Sequence, residues 1–536
     1  MKSILLGTTI AAVLAATPNA FGATQDDQST AEIQHDLKAL RGQVEELQKR
    51  LDAQSASQKH LELETQAAAA QAVAATAATT SIPAQVQAAV AADKPKTDQL
   101  HYKGVDITLG GFAAVESVYR QHDTNNDVNS GYNSIPFASN SVAQTNQFLF
   151  SARQTRLSAL VEGNISADTH LASYTEVDFL GAAQTANSKE SDSYNPRLRQ
   201  AYGTVDWDST GWHMLAGQAL SLAVLNSNGI TLRNEVVPPT IDAQWMPGMV
   251  WTRQPQLRFT KDFAKQLWLA ISFENPQSTF YAGPNALPKT VEQAYQTPGT
   301  GAGFNSANQS SLNRLPDVIT KVAYEVPLPD RKLHIEGYHL YRDFYERLDY
   351  SNKNTSGSGW GGGITVPIIP KKIDFEVIGL AGRGIGRYGS GQLSDVTFNP
   401  QGDIEPIHEI IGLAGFTVHV TPMLDWYLYA GEEKESTQSY DLVSSTGTVT
   451  AYGLGNSLYS NAGCFSETST AACVGNEARV EQATSGVWWK PYVGSFGTLR
   501  WGVQYSHTEY ETFAGKGGAP IVIQNMVFLS FRYYPF

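Results

Sequence analysis

The chain has 536 residues, a formal net charge of −13, only 17% charged residues and two cysteines. Soluble domains typically carry about 25% charged residues, so the low charged fraction does not favour an ordinary soluble domain. The negative net charge does not favour a general nucleic-acid-binding protein, which would show a basic patch. Two cysteines also exclude a disulfide-dense scaffold and a four-thiolate zinc site. The mean hydropathy of −0.26 is compatible with a transmembrane barrel, whose strands alternate apolar and polar residues.

Residues 1–22 have the pattern of a secretory signal peptide. Lys2 gives a positive start, Ile4–Thr17 is a short apolar stretch, and Ala20–Gly22 is a small–x–small cleavage sequence. The apolar run is shorter than the roughly 20 residues of a membrane-spanning helix. We therefore expect the mature chain to enter an oxidising compartment outside the cytoplasm.

Residues 23–66 contain a heptad pattern that predicts an α-helical coiled coil. Its core positions are Ile33, Leu37, Leu40, Val44, Leu47 and Leu51. The alternative is one amphipathic helix on a globular surface, but the polar, Ala-rich flanks offer nothing for it to pack on. Because three heptads on an isolated helix are marginally stable, we favour self-association, with the number of helices left open. Residues 67–103 follow as an Ala-rich linker, interrupted by Pro83 and Pro95.

The remaining residues, 104–536, alternate apolar and polar side chains over long runs, which predicts β-strands. In the first run, Val105 and Ile107 share one face while Asp106 and Thr108 share the other. Many runs reach the roughly 9–11 residues that a tilted transmembrane strand needs. Sixteen strands are predicted, near 104–120, 147–163, 169–182, 196–208, 211–222, 250–261, 265–275, 314–327, 331–346, 357–368, 372–388, 404–421, 423–436, 478–490, 496–512 and 520–536.

Short connections alternate with long polar ones along this part of the chain. The long set comprises 121–146, 183–195, 223–249, 276–313, 347–356, 389–403, 437–477 and 513–519. Short turns at one end and long loops at the other are typical of outer-membrane barrels, whereas a soluble all-β protein has no reason for them. The predicted fold class is therefore an all-β transmembrane barrel of 16 antiparallel strands, preceded by the coiled coil. Aromatic residues near predicted strand ends fit two interfacial girdles, among them Trp207, Trp212, Trp251, Trp268, Trp360, Trp426, Trp488 and Trp489.

No known catalytic or metal-binding motif is present. The sequence has no HExxH, GxSxG, Walker or Rossmann glycine pattern and suggests no Ser–His–carboxylate set, so we predict no enzyme activity, cofactor or metal. Cys464 and Cys473 lie in the longest late loop, and an extracellular setting predicts that they form a disulfide.

The whole layout resembles the DcaP-like outer-membrane porins. Four segments look like that family's early barrel strands: SARQTRL at 151–157, NPRLRQAYGTV at 195–205, HMLAGQALS at 213–221 and WTRQPQLRF at 251–259. The terminal Phe536 resembles the residue that the outer-membrane assembly machinery reads, although Pro535 and Arg532 depart from that pattern.

The resemblance implies how such a chain is placed and what it does. It implies a homotrimer in outer-membrane lipid, with the coiled coil in the periplasm, where it could contact peptidoglycan or another periplasmic partner. It also implies passive diffusion of small hydrophilic solutes, favouring small anions such as dicarboxylates. Two alternatives from other classes are a surface adhesin or envelope tether in which the coiled coil carries the function, and an outer-membrane hydrolase.

A barrel of about 16 strands leaves an aqueous channel, whose selectivity depends on charges at its constriction. As in general porins, loop 223–249 is expected to fold inward, carrying Arg233, Glu235 and Asp242. Because guanidinium groups bind carboxylates bidentately, clustered arginines there would favour anions. Alternatively, each arginine pairs with a loop carboxylate and holds that loop in place. Strand phase turns six arginines inward: Arg120, Arg156, Arg258, Arg342, Arg500 and Arg532.

Two of these arginines carry the specific prediction about selectivity. Arg156 and Arg258 are expected to face loop 223–249 at or near the constriction, because their strands border the region where that loop would enter. Arg153 and Arg199 are ambiguous in phase and are expected either to line the pore or to lie at a subunit interface.

Overall fold

The computed structural model describes residues 99–124, 126–181, 195–281, 283 and 313–536, together with Gly42, Glu45, Glu46, Gln48 and Lys49. Those last five residues are helical and exposed. The predicted signal peptide, all six coiled-coil core positions and most of the linker lie outside the described residues, so these remain predictions. The chain divides into two compact units, residues 1–95 and 96–536. Across the described ranges, no helix has both the length and the apolar character needed to cross a membrane.

The second unit contains 22 strands within the described residues. They are β1 Gln99–Tyr102, β2 Val105–Arg120, β3 Gln147–Ser151, β4 Arg156–Asn164, β5 Thr169–Asp178, β6 Arg197–Trp207, β7 Trp212–Leu220, β8 Arg253–Phe263, β9 Leu267–Glu274, β10 Asp317–Pro327, β11 Lys332–Leu348, β12 Ser351–Ile369, β13 Ile373–Arg383, β14 Val396–Phe398, β15 Ile404–Pro406, β16 His408–Thr421, β17 Leu424–Glu435, β18 Gln438–Val443, β19 Val449–Leu454, β20 Glu477–Gly494, β21 Gly497–Thr512 and β22 Ile521–Tyr534. Short 3-10 helices cover Tyr132–Ser134, Ser141–Gln144 and Gly386–Tyr388.

Sixteen antiparallel strands close into a barrel, as predicted. Neighbours in the chain pair from β4 to β13 and onward through β16, β17, β20, β21 and β22. The ring closes where Ala113–Arg120 of β2 pairs with Met526–Tyr533 of β22. β3 and β4 together make one barrel strand, because both pair with β2. Two hairpins, β14–β15 and β18–β19, lie in long loops outside the ring.

The outer face of the barrel wall is apolar, and along β21 the inner face is polar. Along β21, Trp501, Val503 and Tyr505 are each about half exposed, at 48–49%. The alternate side chains, Gln504 and Ser506, are buried to 1% and 0%. A soluble sandwich buries the apolar face, whereas a membrane barrel turns it to lipid and keeps polar residues on the lumen side.

The second predicted strand, 147–163, is interrupted at residues 152–155. Arg153 and Gln154 leave the strand there, and the amide of Thr155 donates to the carbonyl of Ala152 at 2.9 Å. The hydroxyl of Thr155 accepts from the amide of Ala114 at 3.1 Å, in place of a ladder bond. The interruption turns two long polar side chains away from the regular alternation.

The prediction of a long loop at residues 347–356 is wrong. β11 runs to Leu348 and β12 starts at Ser351, so a two-residue turn joins them. Asp349 and Tyr350 have φ values of 48° and 63°, the left-handed conformation that tight hairpin turns with matching twist require. The first half of β12 is polar and Gly-rich, which made it look like a loop, but it pairs with β11 along its length.

The predicted linker also contains a strand. β1 pairs with the start of β2 through a hairpin whose turn residues, Lys103 and Gly104, have φ values of 50° and 80°. Its four residues, QLHY, are at the lower limit of length at which alternation indicates a strand. The described fold therefore begins at Gln99 rather than at residue 104.

Candidate functional site

The connection between β7 and β8, residues 221–252, folds into the barrel; we call it the inner loop. Its apolar side chains are almost fully buried, including Leu222, Val224, Ile241 and Met246 at 0–1% exposure. They pack in one cluster with wall residues from around the ring, among them Val118, Trp268, Tyr338, Leu380, Leu413, Tyr427, Trp488 and Phe528. The main apolar core of the protein thus lies inside the lumen, where the sequence predicted an inward loop.

Polar side chains of the barrel wall bind residues 239–249 of this loop. The indole N–H of Trp488 donates to the carbonyl of Pro239 at 2.7 Å. The amide of Ile241 donates to Gln504 Oε1 at 2.6 Å, and the amide of Gly248 donates to Glu433 Oε1 at 2.8 Å. We call residues 239–249 the second arm, and it is fixed by strands β17, β20 and β21.

Asp242, a predicted pore-lining residue, is 2% exposed and joins two loops. Its carboxylate accepts from the amides of Ser130 at 3.1 Å and Gln244 at 2.9 Å. The hydroxyl of Tyr132 lies 3.5 Å away and also donates to the carbonyl of Trp245. The first long loop, 121–146, is therefore folded inward as well, and Asp242 is used for that contact.

The other two charged residues predicted in the inner loop differ from each other. Glu235 forms a β-bridge with Asn226, which closes the loop on itself. The side chain of Arg233 is 36% exposed and lies 4.0 Å from Glu162 on β4. Arg233 thus reaches open space in the lumen.

Arg233 lines a cavity of about 470 Å³ between the inner loop and the strand ends near the short turns. Arg258 on β8 lines the same cavity and is 4% exposed. Its guanidinium donates to the carbonyl of Leu220 at 2.6 Å and to Gln256 Oε1 at 2.8 Å. Arg258 therefore contacts the base of the inner loop.

Arg120 holds a loop in place. It is fully buried and donates to Gln147 Oε1 at 2.7 Å and to the carbonyls of Asn126 at 3.1 Å and Asn129 at 3.2 Å. All of these acceptors lie in or next to the first long loop. The geometry follows the alternative that strand arginines fix loops, with carbonyls as the acceptors.

Arg342 plays the same part at another loop. It is fully buried between Asp317, at 3.3 Å, and Asp395, at 2.5 Å. It also donates to the carbonyl of Gly384 at 2.7 Å and lies over the ring of Phe344. Asp395 belongs to the loop between β13 and β16, so this ion pair attaches that loop to β11.

Arg156 is brought together with two arginines of β6. Arg156 is 3.6 Å from Glu176, which also pairs with Arg199 at 2.6 Å. Asp178 pairs with Arg199 at 2.8 Å and with Arg197 at 2.7 Å. The group has three guanidinium groups and two carboxylates. The side chains of Arg156 and Arg197 are 31% and 37% exposed, so both reach solvent.

Next to this group is a second cavity, of about 410 Å³, on the long-loop side. Its lining, among the described residues, includes Arg197, Arg253 and Arg387 and no carboxylate. Arg253 lies over the ring of Trp251, and its buried Nε and Nη1 atoms have no hydrogen-bond partner within the described ranges. Arg387 donates toward Asp317 at 3.4 Å. We call this space the arginine cavity.

None of these three arginines was among the predicted pore-lining residues. Arg253 lies one residue out of the inward phase that contains Arg258, and Arg387 lies in a loop. Arg197 could have been found from its spacing, because Arg197 and Arg199 are two residues apart and therefore share a face of a strand.

The remaining predicted residues lie away from these cavities. Cys464 and Cys473 form a disulfide with an S–S distance of 2.02 Å in the loop between β17 and β20. Phe536 follows the end of β22 and is 60% exposed. Within the part of the chain that the structure describes, no group of His, Cys, Asp or Glu side chains could hold a metal ion.

Neither a protein-family model nor a curated protein matches the sequence. Among solved structures, the outer membrane channel DcaP of Acinetobacter baumannii is similar, with a TM-score of 0.56 at 20% identity, over 81% of this chain and 99% of that chain. OmpT of Vibrio cholerae gives 0.42 at 10% identity, over 81% and 99%. OprB of Pseudomonas putida gives 0.43 at 9% identity, over 81% and 94%. The likeness to DcaP shows the fold, and the predicted resemblance is confirmed at that level.

Proposed function

We propose that this protein is an outer-membrane porin for passive diffusion of small hydrophilic solutes and that it favours small anions such as dicarboxylates. The observation that carries the proposal is the arginine cavity, three guanidinium groups without a carboxylate in the described lining. DcaP, whose fold this chain shares, is itself an outer membrane channel.

The placement in a membrane rests on the wall of the barrel. Large apolar side chains point outward around the ring, as at Leu157, Leu257, Ile410 and Leu529, which are 38–54% exposed. A monomeric soluble protein rarely exposes so extended an apolar surface. Lipid covers such a surface, and a closed ring leaves no unpaired strand edge within it.

We base the preference for anions on an excess of positive charge in the lining of the arginine cavity. Arg197 and Arg387 each have a buried carboxylate partner, Asp178 and Asp317, whereas Arg253 has no ion-pair partner within the described residues. A guanidinium in a confined space is screened less than one in bulk water. It also offers a planar pair of donors to a carboxylate. The net acidity of the whole chain does not oppose this, because local charges set selectivity at a constriction.

We propose that Arg156 and Arg258 also contribute to the attraction of anions. Arg156 extends the positive group of β6 toward the lumen, and Arg258 lines the cavity on the other side of the inner loop together with Arg233. The lining of that cavity also includes Glu162 and Asp206, so the two arginines there stand beside carboxylates. We infer a path with arginines on both sides of the inner loop.

For the assembly we propose a homotrimer with the short turns and the N-terminal coiled coil in the periplasm. The support is the resemblance in layout and the heptad seam around Leu40, Leu47 and Leu51. Replacing these three residues with Asp should abolish association of the coiled coil. Chemical cross-linking in native membranes should still give trimers, because the barrel wall is the larger surface; only dimers or monomers would contradict the trimer.

The anion preference can be tested by solute entry into liposomes that contain the full-length protein. Arg253→Gln should slow succinate entry about two- to threefold relative to a neutral sugar of similar size, because one local charge is lost. Lys372→Gln removes the same charge from an exposed residue of a short turn and is the matched control. Equal loss for succinate and sugar, or an effect of Lys372→Gln as large as that of Arg253→Gln, would contradict the assignment.

A further inference from the structure

Four buried side chains on β10 and β11 lie against the beginning of the inner loop. Lys321 and Glu325 belong to β10, and His334 and Glu336 belong to β11. Each is at most 5% exposed. The set contains two basic and two acidic groups, and Lys321 Nζ lies 2.6 Å from Glu336 Oε1. We call this set the latch and residues 223–230 the first arm.

The two contacts of His334 bear on how many protons the latch holds. Its Nδ1 is 2.6 Å from Glu325 Oε1 and its Nε2 is 3.0 Å from Glu336 Oε2. Neutral imidazole has one N–H, and an ionised carboxylate can only accept. A neutral histidine and two ionised glutamates together carry one N–H proton, which can serve only one of the two contacts. Both contacts can be hydrogen bonds only if His334, Glu325 and Glu336 together hold one proton more. With that proton on the ring, the latch has two positive and two negative charges.

Three members of the latch bind the first arm directly. Lys321 Nζ donates to the carbonyl of Val224 at 2.7 Å and to Asn226 Oδ1 at 2.9 Å. Glu336 Oε2 accepts from the amide of Asn226 at 3.1 Å. Glu325 Oε1 accepts from the amide of Gly229 at 2.5 Å. The same carboxylate oxygens therefore serve His334 and the backbone of the arm.

We propose that the latch is a proton-dependent device that holds the first arm of the inner loop against the barrel wall. Protonation of Glu325 and Glu336 would remove both carboxylate charges and leave Lys321 and the His334 imidazolium as buried, uncompensated cations. That arrangement is unfavourable, so acid releases the arm. In the second arm, Pro239 and Ile241 are held by Trp488 and Gln504, which do not titrate, whereas Gly248 is held by the Glu433 carboxylate. Acid should therefore leave the contacts of Pro239 and Ile241 in place.

Other charged groups near the latch balance one another. Arg258 approaches from β8 and Glu235 from the inner loop itself, with opposite charges. Lys332 and Tyr338 lie on β11 and act on Glu325 and Glu336, respectively. The proton balance is therefore set mainly by the four members. This inference goes beyond the proposed function and does not depend on which solute passes.

The barrel contains a matched group that touches no inner-loop residue in any described contact. His419 on β16 has Nδ1 2.8 Å from Asp425 and Nε2 3.1 Å from Asp374. Lys490 completes it, with Nζ 2.6 Å from Asp425. The composition, one lysine, one histidine and two carboxylates, is the same as in the latch. Its position beside the short turn after β16 makes it a control for the chemistry alone.

Hydrogen–deuterium exchange of the full-length protein in detergent micelles tests the proposal. At neutral pH, the double variant E325Q/E336Q imitates the protonated latch, and amides of 223–230 should exchange roughly tenfold faster than in the parent. Amides of 239–249 should keep their protection. The control variant D374N/D425N should leave both segments unchanged.

A second arm of the experiment needs no substitution. In the parent, lowering the pH should accelerate exchange of 223–230 beyond the intrinsic pH effect, while the amide of Ile241, which is held by the Gln504 side chain, follows the intrinsic effect alone. Unchanged protection of 223–230 in E325Q/E336Q would overturn the latch. So would equal loss of protection of 223–230 and 239–249 in E325Q/E336Q at neutral pH, an equal effect of D374N/D425N, or a parent protein whose first arm is indifferent to pH.

Discussion

The indole N–H of Trp488 donates a 2.7 Å hydrogen bond to the carbonyl of Pro239, across 249 residues of sequence. Trp488 stands on β20, and Pro239 belongs to a loop that leaves the barrel wall between β7 and β8. The contact ties the far end of the inner loop to the wall opposite its origin. The shape of the lumen thus depends on single polar contacts between segments that are distant in the chain.

Removing that donor should loosen the second arm. Trp488→Phe keeps an aromatic ring beside Arg532 but leaves the Pro239 carbonyl without its partner. The second arm should lose about 1 kcal/mol of local stability, the net contribution of one hydrogen bond. Faster amide exchange in residues 239–249 would measure this loss. Trp426→Phe is the matched control, because its indole donates to Ser485 on the neighbouring strand instead. Equal effects of the two substitutions would show that the Pro239 contact has no special role.

Arg342 should be essential for the stability of the barrel rim. Arg342→Met leaves Asp317 and Asp395 buried without their shared cation, which should cost about 3–5 kcal/mol. Arg331→Met removes an arginine whose partner Asp330 is 60% exposed, and its ion pair should matter by less than about 1 kcal/mol. Denaturant unfolding in detergent, followed by tryptophan fluorescence, measures both. Similar midpoints for the two variants would refute the role of Arg342.

Arg156 and Arg258 should select permeating solutes by their charge rather than by their size. Replacing both with Ala should lower permeation of a small dicarboxylate more than that of a neutral sugar of similar size. Added salt should shrink the difference, because the attraction is electrostatic. If the double variant carries the dicarboxylate as well as the parent at low salt, these two residues do not set selectivity.

The disulfide should matter locally. Cys464 and Cys473 close a short surface loop whose residues 465–472 are exposed. Replacing both with Ser should leave the unfolding of the barrel unchanged and make residues 465–472 more sensitive to limited proteolysis, because the open loop gains conformational freedom. A large drop in barrel stability would mean that the loop supports the wall.

Strand positions were predictable because alternation is a local signal. β16, β17 and β21 start and end within four residues of their predicted bounds, since lipid on one side and water on the other impose period two. The polar first half of β12 gave no such signal, because its partner β11 rather than its own alternation holds it in the sheet. The length of a barrel strand beyond the membrane is set by its neighbours.

The inside of the barrel was less predictable. Trp488 and Trp489 are adjacent, so one must face inward, and the structure has Trp488 at 5% and Trp489 at 50% exposure. Trp268 was likewise assigned to an interfacial girdle, but it is 3% exposed and packs against the inner loop. Which aromatic residue meets the loop depends on the path of the loop, and no periodic pattern encodes that path.

If the proposed function is right, the barrel conducts ions and prefers anions. The most direct measurement is the reversal potential of the purified full-length protein in a planar bilayer under a potassium chloride gradient. We expect stepwise channel insertion and a reversal potential whose sign marks chloride as the more permeant ion, with a smaller reversal potential in Arg253→Gln. Absence of conductance, or a reversal potential that marks potassium as the more permeant ion, would contradict it.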